Sequence, residues 1–498
     1  MRLPDFLFKE IKTERACLTL FALYCLGLFA ILRADRLYLD DMGRSLYAYA
    51  DWDEAGRPLA DLLSGLFFLS PGPVDASPFT QILAAALLTL AVLTLCRALS
   101  IPLSPFVLAA CLPFGLSPYG LENLSYRFDA PLIAMSQLLC ILPFLWLRRA
   151  RVRRKKFFAL CFVCLFASLS IYQAGVNIYL AVSLFIFLRV WCAGKKKMRL
   201  LRLALLLFSP ALLALVAYAA QASLWFDAEQ YGDYVALHSV IASPLHLPGK
   251  IAENIGAYLS LLTRDWGCNS LGALFLILVH SFFIVIFRRV GRGRKKLPFF
   301  AGAALLIFCF LLTPLGVQIS LETPVWSPRT FCAFGVLLTL MLLSLRPGVR
   351  SSFFARLFAC SLVGFIGLHL LIFSSLYGNM LSAQNRWEEA HLSLLASELG
   401  AFREEKGGDK VIFTNSAGYS PLMAMVGARY PLIRRMTVVP LTRNMRWGYE
   451  QLKIYGITVR TGGVLPEGTA LTLYRDAPFF RIETSPDSMA VVTFKNSE

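Results

Sequence analysis

Charged residues are scarce in this chain. Only 16% of its 498 residues are Asp, Glu, Lys or Arg, whereas 57% are hydrophobic and 39 are Phe. A soluble domain of this length could not bury so much apolar surface. The composition therefore excludes an ordinary soluble protein and predicts an α-helical polytopic membrane protein.

Metal-binding and disulfide patterns are also missing. The five histidines, at positions 238, 246, 280, 369 and 391, show no metal-ligand spacing, so we do not expect a zinc enzyme. All twelve cysteines lie at or before Cys360, which predicts no structural disulfide even in an oxidising compartment. Cys161 and Cys164 form a CxxC inside an apolar run, where we interpret them as small apolar residues on a helix face.

Four loops between apolar runs contain cations but no acids, and they supply much of the net charge of +18. Such loops mark the cytoplasmic side of a membrane protein and suit anionic lipid headgroups. We therefore expect membrane lipids, and not nucleic acid, to face these charges. The cations of the four basic loops are Arg148, Arg149, Arg151, Arg153, Arg154, Lys155 and Lys156; Lys195, Lys196, Lys197, Arg199 and Arg202; Arg288, Arg289, Arg292, Arg294, Lys295 and Lys296; and Arg346, Arg350 and Arg356.

The apolar runs predict about eleven transmembrane helices, because each is long enough to cross roughly 30 Å of hydrocarbon. An odd number of crossings places the N-terminus in the cytoplasm and residues 378–498 in the periplasm of a bacterial inner membrane. The predicted spans are Ala16–Leu32, Phe79–Leu99, Phe106–Leu121, Pro131–Leu147, Phe157–Gly175, Val176–Trp191, Leu203–Leu224, Asn269–Phe287, Leu297–Gly316, Thr330–Leu345 and Phe353–Tyr377.

Residues 378–498 alternate polar and apolar segments and contain loops rich in Gly and Pro. We therefore predict two domains, a transmembrane domain over residues 1–377 and a small extracytoplasmic α/β domain over residues 378–498. The predicted elements of the second domain are a helix over Ser382–Lys406 and strands at Lys410–Asn415, around Val438 and at Leu471–Tyr474.

The first outer loop, residues 33–78, is denser in acids, arginines and aromatics than a connector requires. Its acidic pair, Asp40 and Asp41, is followed one helical turn later by Arg44. Neighbouring charges tune each other's proton affinity, which suits general base chemistry. The alternative is a solvated loop in which Asp40 or Asp41 caps a helix N-terminus, and the sequence leaves both open.

A second polar stretch, LENLSYRFDAP over Leu121–Pro131, has more functional groups than a hairpin between two spans needs. The alternative is a pair of helix caps with a local salt bridge between Arg127 and Asp129. The polar and charged residues singled out in this stretch are Glu122, Asn123, Tyr126, Arg127 and Asp129.

Two other outward stretches contain cations. In TPVWSPRTF, Thr323–Phe331, Arg329 lies at the outer mouth of a span next to Trp326; an interfacial Trp with a snorkelling Arg is the alternative without function. The loop Trp225–Cys268 contains Lys250 and Arg264, which could close over a substrate, although a surface helix is the favoured interpretation.

These motifs are similar to those of a known enzyme group. An acidic pair and Arg in the first outer loop of a many-span bundle resemble the GT-C superfamily of polyprenyl-phosphate-sugar-dependent glycosyltransferases. The segments YLDDMGRSLYAYADW with GRPLAD, LSPYGLENLSYRFDAP, SLSIYQAG and QNRWEE resemble the Gtr-type bacterial glucosyltransferases that modify O-antigen in lipopolysaccharide. The resemblance covers most of the chain.

The resemblance implies an undecaprenyl-phosphate-linked donor sugar, expected to be glucose, and an acceptor hydroxyl on a lipid-anchored glycan. In GT-C enzymes the first acid of the outer loop is the general base, which here falls on Asp40, with Asp41 supporting it. Arg127 and Arg329 are candidates for the donor phosphate, because Arg can bind phosphate oxygens bidentately. The further predicted substrate-binding residues are Arg44, Arg57, Glu122, Asn123, Tyr126 and Asp129.

A single displacement with one base would invert the anomeric centre. No cofactor is predicted with certainty, and the use of a divalent metal stays open. A lipid-linked glycan flippase would place ionisable groups within its spans, and these spans are nearly free of charge. The serious alternatives are an O-antigen polymerase or ligase, or a transferase for another polyprenyl-phosphate sugar.

Overall fold

The computed structural model describes residues 5–147, 153–225, 237–267, 269–293, 297–348 and 351–495. Parts of the predicted basic loops and of the outer loop that begins at Trp225 lie outside the described residues. They are Arg148, Arg149, Arg151, Arg294, Lys295, Lys296 and Arg350, together with residues 226–236 and Cys268.

The first two thirds of the chain form a bundle of helices. Short 3-10 turns interrupt the bundle at Leu142–Trp146, Gln173–Gly175, Gly316–Ser320 and Pro328–Phe331. The helices are α1 (Thr13–Ala34), α2 (Asp40–Tyr47), α3 (Pro58–Phe68), α4 (Phe79–Leu99), α5 (Pro105–Ala110), α6 (Leu112–Leu116), α7 (Pro118–Ser125), α8 (Ala130–Ile141), α9 (Arg154–Leu169), α10 (Val176–Cys192), α11 (Lys197–Trp225), α12 (Leu247–Trp266), α13 (Ser270–Gly293), α14 (Leu297–Leu311) and α15 (Ala333–Ser344).

Six helices of the described chain are long and apolar enough to cross a membrane, and they include α1, α4, α11 and α13. The fifth runs from Gln173 to Cys192, and the sixth is the long helix that begins at Phe353. The prediction of a mostly helical membrane protein is therefore confirmed, while the number of about eleven spans stays a prediction. Shorter apolar helices cover Pro58–Phe68, Pro105–Leu116, Ala130–Trp146, Leu297–Leu311 and Pro328–Ser344.

The predicted span Phe106–Leu121 is not one helix but the three short helices α5, α6 and α7. Pro113 and Pro118 interrupt it, because proline lacks an N–H and clashes with the preceding turn. Broken helices are tolerated at membrane depth only where other protein covers them. Leu116, Tyr119 and Leu121 are accordingly fully buried, so this segment lies inside the bundle.

The last apolar run continues into one helix of 54 residues, α16 (Phe353–Lys406). The predicted span Phe353–Tyr377 and the predicted helix Ser382–Lys406 are thus parts of a single rod, about 80 Å long at 1.5 Å per residue. The domain boundary placed at 377/378 falls inside this helix. The division into two domains stays a prediction.

The C-terminal part contains a five-stranded sheet in the order β2-β1-β5-β4-β3. β1 pairs in parallel with β2 and β5, and the other pairings are antiparallel. The strands are β1 (Lys410–Phe413), β2 (Arg460–Thr461), β3 (Thr472–Asp476), β4 (Phe480–Thr484) and β5 (Ala490–Phe494), and the helices are α17 (Pro421–Arg429), α18 (Pro431–Met436) and α19 (Arg446–Ile454).

Two of the predicted strands correspond to β1 and β3, but the strand predicted around Val438 is wrong. Val438 lies in a loop, and its carbonyl accepts a hydrogen bond from Arg36 at 2.8 Å. A tertiary contact with a buried cation thus replaces the strand pairing that local β-propensity favours.

The C-terminal part packs on two different cores. The sheet covers the upper half of α16, where Leu395, Leu399 and Phe402 contact its buried face. Helices α17 and α18 instead place Met423 and Ile433 in the core of the membrane bundle. The C-terminal helices therefore reach down to the outer ends of the spans, where the candidate site lies.

Candidate active site

Residues of three separate segments, most of them predicted site residues, meet at the end of the bundle that the sequence predicts to face outward. The N–H of Arg127 donates to Asp41 at 3.0 Å, Tyr38 Oη donates to Glu122 at 3.2 Å, and the N–H of Arg329 donates to Glu122 at 2.7 Å. Helix α2, the turn between α7 and α8, and the turn before α15 thus form one cluster.

Asp41 anchors the start of α2. It is fully buried and accepts backbone N–H bonds from Tyr38 at 3.1 Å, Arg127 at 3.0 Å and Phe128 at 3.5 Å. Burial raises the pKa of Asp41 to about 8, and the N–H donors of Arg127 and Tyr38 oppose this rise. The carboxyl group therefore ties the first outer loop to the next outer turn.

The residue just before the acidic pair has a strained backbone. Leu39 has φ 48° and ψ −105°, a region that a bulky L-residue rarely adopts and that costs about 1–3 kcal/mol. The bonds of Asp41 to Tyr38 and Arg127 hold this geometry in place. A strained backbone persists only where surrounding contacts hold it. Because Leu39 directly precedes Asp40, its backbone geometry also sets the direction in which Asp40 leaves the chain.

Asp40 has the opposite environment to its neighbour. It is half-buried, and the hydrogen bonds and ion pairs among the described residues do not include its carboxylate. Arg44 and Arg329 both lie within electrostatic range of it. Asp40 is therefore a carboxylate beside two cations that the surrounding protein does not use as an acceptor.

Arg44 lies one turn further along α2 in an aromatic setting. Its guanidinium lies 4.0 Å from the ring centre of Trp52 and 5.4 Å from that of Tyr49, and it donates to the carbonyl of Ala50 at 3.2 Å. Its Nε is buried without a hydrogen-bond partner in the described part of the chain. Cation–π contacts with these rings hold the Arg44 guanidinium, and part of its donor capacity stays unused.

Glu122 and Asn123 shape the neighbouring turn. Glu122 accepts hydrogen bonds from the Arg329 N–H, Tyr38 and Ser327, and burial raises its pKa. Asn123 donates to the carbonyl of Arg329 at 3.1 Å and accepts from Tyr172 at 3.3 Å. Both side chains are buried, so they fold the turn that contains Arg329 onto α7.

Arg329 points its guanidinium towards Tyr126. It donates to the Tyr126 hydroxyl and lies 5.4 Å from that ring, while the Tyr126 ring packs edge-on against Tyr38 at 4.7 Å. The ion pairs of the described ranges do not include Arg329. Its remaining N–H groups are therefore available for an anion.

Arg127, by contrast, already has two anionic partners. Its guanidinium pairs with Asp35 at 2.6 Å and with Asp75. Asp129 does not pair with it: one Asp129 oxygen accepts from Trp52 Nε1 at 2.8 Å, and the other is buried without a partner among the described residues. The local salt bridge considered as an alternative for this turn is absent from the described contacts.

Arg57 lies at the edge of the cluster. Its Nε donates to Gln173 at 2.8 Å, and its guanidinium lies 5.3 Å from the ring of Tyr172. The hydroxyl of Tyr172 donates to the carbonyl of Arg329 at 2.9 Å. Arg57 therefore connects to the candidate site through Tyr172 and does not contact the acidic pair.

A cleft lies beside Arg127 at the outer ends of α1 and α4. Polar side chains and the aliphatic side chains of Ile31, Leu32 and Leu381 share its wall, and its free volume is about that of a single water molecule. Its lining residues are Ile31, Leu32, Asp35, Arg36, Tyr38, Ser77, Gln81, Ser125, Arg127 and Leu381.

Several contacts of the site residues come from the C-terminal part and were not predicted. Arg36 forms a buried ion pair with Glu388 at 2.9 Å, and Arg435 pairs with Asp265 and donates to the carbonyl of Trp326 at 2.6 Å. The Tyr38 hydroxyl also donates to the carbonyl of Met436. The only sequence signal for these contacts is at Arg435, which lies beside a second arginine in an otherwise apolar short segment.

Within the described residues, no group of three His, Cys, Asp or Glu side chains is arranged to hold a metal ion. The two cations of helix α12 have their own acidic neighbours. Lys250 pairs with Glu253 at 3.1 Å, and the Arg264 side chain is 58% exposed. The segment that contains Lys250 and Arg264 is thus a helix, as the favoured interpretation of this loop predicted.

Comparison with known proteins gives two matches. Residues 29–340 match the family described as Glucosyl transferase GtrII, and this range includes Asp40 and Arg329. A protein of Salmonella phage P22, described as an uncharacterized 55.3 kDa protein in the gtrB 5′ region, is 25% identical over 442 residues, which are 85% of this chain and 86% of that protein. No solved structure matches the chain.

Proposed function

Because the chain belongs to the glucosyl transferase GtrII family, we propose that it transfers glucose from undecaprenyl-phosphate-linked glucose to a lipid-anchored O-antigen glycan. The family makes the protein a glycosyltransferase, and its apolar helices make it a membrane protein. The reaction is proposed to take place on the periplasmic face of the inner membrane, the side on which the cluster is predicted to lie.

In the proposed reaction an acceptor hydroxyl attacks the anomeric carbon of the donor sugar. The hydroxyl proton passes to the Asp40 carboxylate as the new C–O bond forms. The bond between the anomeric carbon and the phosphate oxygen breaks, and the polyprenyl phosphate leaves with the electron pair. A single displacement of this kind inverts the anomeric centre.

The observation that carries this proposal is the contrast within the acidic pair. Asp41 is buried and accepts three backbone N–H groups, whereas Asp40 is half-buried and has no such partner among the described side-chain contacts. A general base must reach the proton that it removes. Asp40 meets this requirement, and Asp41 supports it by fixing the start of α2.

The leaving phosphate gains negative charge and needs cationic stabilisation more than a proton. Arg329 is the preferred ligand because its guanidinium contacts a tyrosine and no carboxylate in the described part of the chain. Arg127 is less suited, since Asp35 and Asp75 already neutralise it. Arg44, which lies within electrostatic range of Asp40, is the second cation of the proposed site.

A transfer assay tests the proposal. The full-length protein, reconstituted in nanodiscs with a lipid-linked O-antigen acceptor, would receive undecaprenyl-phosphate-glucose, another undecaprenyl-phosphate hexose or UDP-glucose. We expect single glucose additions from the first donor and little transfer from the others. Efficient use of UDP-glucose would contradict a lipid-linked donor, and transfer of whole repeat units would identify a polymerase or ligase.

Reporter fusions test the proposed topology. Alkaline phosphatase fused after Gly407, just beyond α16, should be active because the sheet is proposed to be periplasmic. Fusions after Lys196 and Gly348, in two of the basic loops, should be inactive. An inactive fusion after Gly407 would place the C-terminal part in the cytoplasm and would remove the periplasmic site from the proposal.

A further inference from the structure

Helix α17 has an exposed face that is apolar up to its last residue, Arg429, although the C-terminal part is predicted to lie in water. Leu422 and Met425 are 57% and 55% exposed, and the other exposed residues of the helix before its last residue are Pro421, Ala424 and Ala428. Its opposite face, with Met423 and Val426, is buried against the bundle. The exposed face is therefore available to a partner other than this chain.

The depth of α17 can be read along α16. The exposed large side chains of α16 are apolar up to Ile372, whereas the next exposed residues are Ser375, Asn379, Arg386 and Glu389. This change marks the outer edge of the hydrocarbon. It lies about 30 Å above Phe353, the start of the helix, at 1.5 Å per residue.

Two contacts with α16 give the height of each end of α17 along that helix. At its upper end, the N–H of Ser420 donates to Gln384 at 2.8 Å. At its lower end, Tyr430 packs on Phe373, with ring centres 6.1 Å apart. Gln384 lies about 16 Å above Phe373 on α16, which matches the length of about 15 Å for the ten helical steps from Ser420 to Tyr430.

Helix α17 therefore descends along α16 and ends at the hydrocarbon edge. Its last residue, Arg429, and Arg434 in α18 are exposed, and the Arg434 guanidinium lies 5.0 Å from the ring of Tyr419. Tyrosine and arginine at this depth are typical of membrane interfaces, where aromatic rings lie among headgroups and cations meet phosphates. Gly427 lies against the Arg434 side chain, so the two helices form one compact hairpin.

We propose that the α17–α18 hairpin, residues 421–436, is an interfacial anchor whose exposed apolar face lies among the headgroups of the outer leaflet, with its lower end at the hydrocarbon edge. The occupant of this face is the phospholipid bilayer. The site is continuous with the membrane bundle, since Met423, Leu432 and Ile433 belong to the same core as the spans. The depth of α17 and the exposed arginines of the hairpin would favour this location whatever sugar the enzyme transfers.

The anchor also explains how the C-terminal part can reach the candidate site. Met436 ends the hairpin, and its carbonyl accepts from Tyr38 and, at 3.3 Å, from Tyr377. Arg435, in the same short helix, donates to the carbonyl of Trp326 in the turn that contains Arg329. A hairpin seated in the leaflet would hold both contacts at a fixed depth.

Photo-crosslinking in lipid nanodiscs tests the anchor. The photoreactive residue p-benzoylphenylalanine would replace Met425 or Ala428 in the full-length protein, in discs of phosphatidylethanolamine and phosphatidylglycerol. Leu473 is the matched control, because it is also 55% exposed but neighbours Tyr474, which packs on Phe402. Phe402 lies about 44 Å above Phe373 along α16.

We expect phospholipid adducts, measured by intact-protein mass spectrometry, at positions 425 and 428 at several times the yield found at 473. Equal yields at all three positions would overturn the anchor. Dimer crosslinks from positions 425 and 428 would instead assign the face to a second copy. Adducts that form only when undecaprenyl phosphate is added would assign it to the carrier lipid, which also contradicts a leaflet anchor.

A second variant keeps the test informative if the photoreactive residue disturbs the hairpin. Trp in place of Met425, or of Leu473 as the control, would report the same depths by fluorescence. Lipids brominated high on the acyl chain should quench the added signal of Met425→Trp by at least about twofold more than that of Leu473→Trp. Equal quenching of the two added signals would contradict the anchor as directly as equal crosslinking.

Discussion

The two turns that present arginines at the outer ends of the spans use their charge in different ways. Arg127, in the turn between α7 and α8, is neutralised by Asp35 and Asp75. Arg329, in the turn before α15, contacts the Tyr126 hydroxyl and ring and is paired with no acid in the described ranges. Position at a span end therefore does not by itself identify a phosphate ligand.

The acidic pair repeats the same contrast at neighbouring positions. Asp41 is engaged by three backbone N–H groups, while Asp40 has no such partner among the described contacts. We call Arg127 and Asp41 engaged side chains, and Arg329 and Asp40 available side chains. Engaged groups hold the site together, and available groups can meet a substrate.

The largest expected effect comes from the available acid. Asp40→Asn keeps the shape of the side chain but cannot accept the acceptor proton, so glucose transfer should fall by about 10²- to 10⁴-fold. The measurement is glucose incorporated per mole of correctly inserted enzyme. Asp41→Asn is the matched control and should lose less activity, because it removes a structural contact and leaves the proposed base in place.

Two outcomes would break this part of the comparison. A larger loss in Asp41→Asn than in Asp40→Asn, at equal insertion, would exchange the roles of the two acids. Near-normal turnover in both variants would remove the first outer loop as the seat of the chemistry.

The second prediction concerns an engaged pair that joins the two parts of the chain. Glu388 is buried, pairs with Arg36 at 2.9 Å and accepts from Gln384 and Gln451. Glu388→Ala leaves a buried cation without its partner and should lower the free energy of unfolding by about 3–5 kcal/mol. Thermal unfolding in detergent measures the loss.

The neighbouring residue supplies the control for that experiment. Glu389 is exposed and accepts only from Asn385, at 2.8 Å, among the described hydrogen bonds, so Glu389→Ala should change the unfolding temperature little. If the two variants unfolded at the same temperature, the ion pair with Arg36 would not stabilise the junction.

The third prediction compares the two arginines directly. Arg329→Ala removes a charge-assisted contact to phosphate worth about 1.5–3 kcal/mol, so kcat/KM for the donor should fall by roughly 10- to 150-fold. Arg329→Lys should recover only part of this, because Lys cannot bind two oxygens in the planar geometry of Arg. Arg127→Ala should chiefly lower thermal stability, since it releases two carboxylates.

Steady-state kinetics with varied donor separates these effects. A larger rise of the donor KM in Arg127→Ala than in Arg329→Ala, at equal folded fraction, would reverse the assignment of engaged and available arginines. The phosphate would then be placed beside Arg127.

The sequence was sufficient to pick out the polar segments that meet in the candidate site, because a dense group of polar residues between apolar runs is a local signal. It predicted the residues that meet there, including Asp41, Glu122 and Arg329. It could not show which groups are engaged, since Arg127 finds its partners 92 and 52 residues away. The periodicity of apolar residues likewise does not show where a helix leaves the lipid. The continuity of α16 and the helix breaks at Pro113 and Pro118 therefore became visible only in the three-dimensional structure.

The last prediction concerns how the stability of the protein depends on pH through Asp41. Burial raises the pKa of Asp41 from 3.8 to about 8, so the folded protein holds this proton more tightly than the unfolded chain. Stability should therefore fall as pH rises towards 8, by at most about 1.4 kcal/mol per pH unit, and level off above it. Asp41→Asn mimics the protonated form and should flatten this part of the curve when unfolding temperatures are measured from pH 6 to 9. An unchanged slope in Asp41→Asn would mean that Asp41 is ionised throughout this range, held as an engaged anion by its three N–H donors.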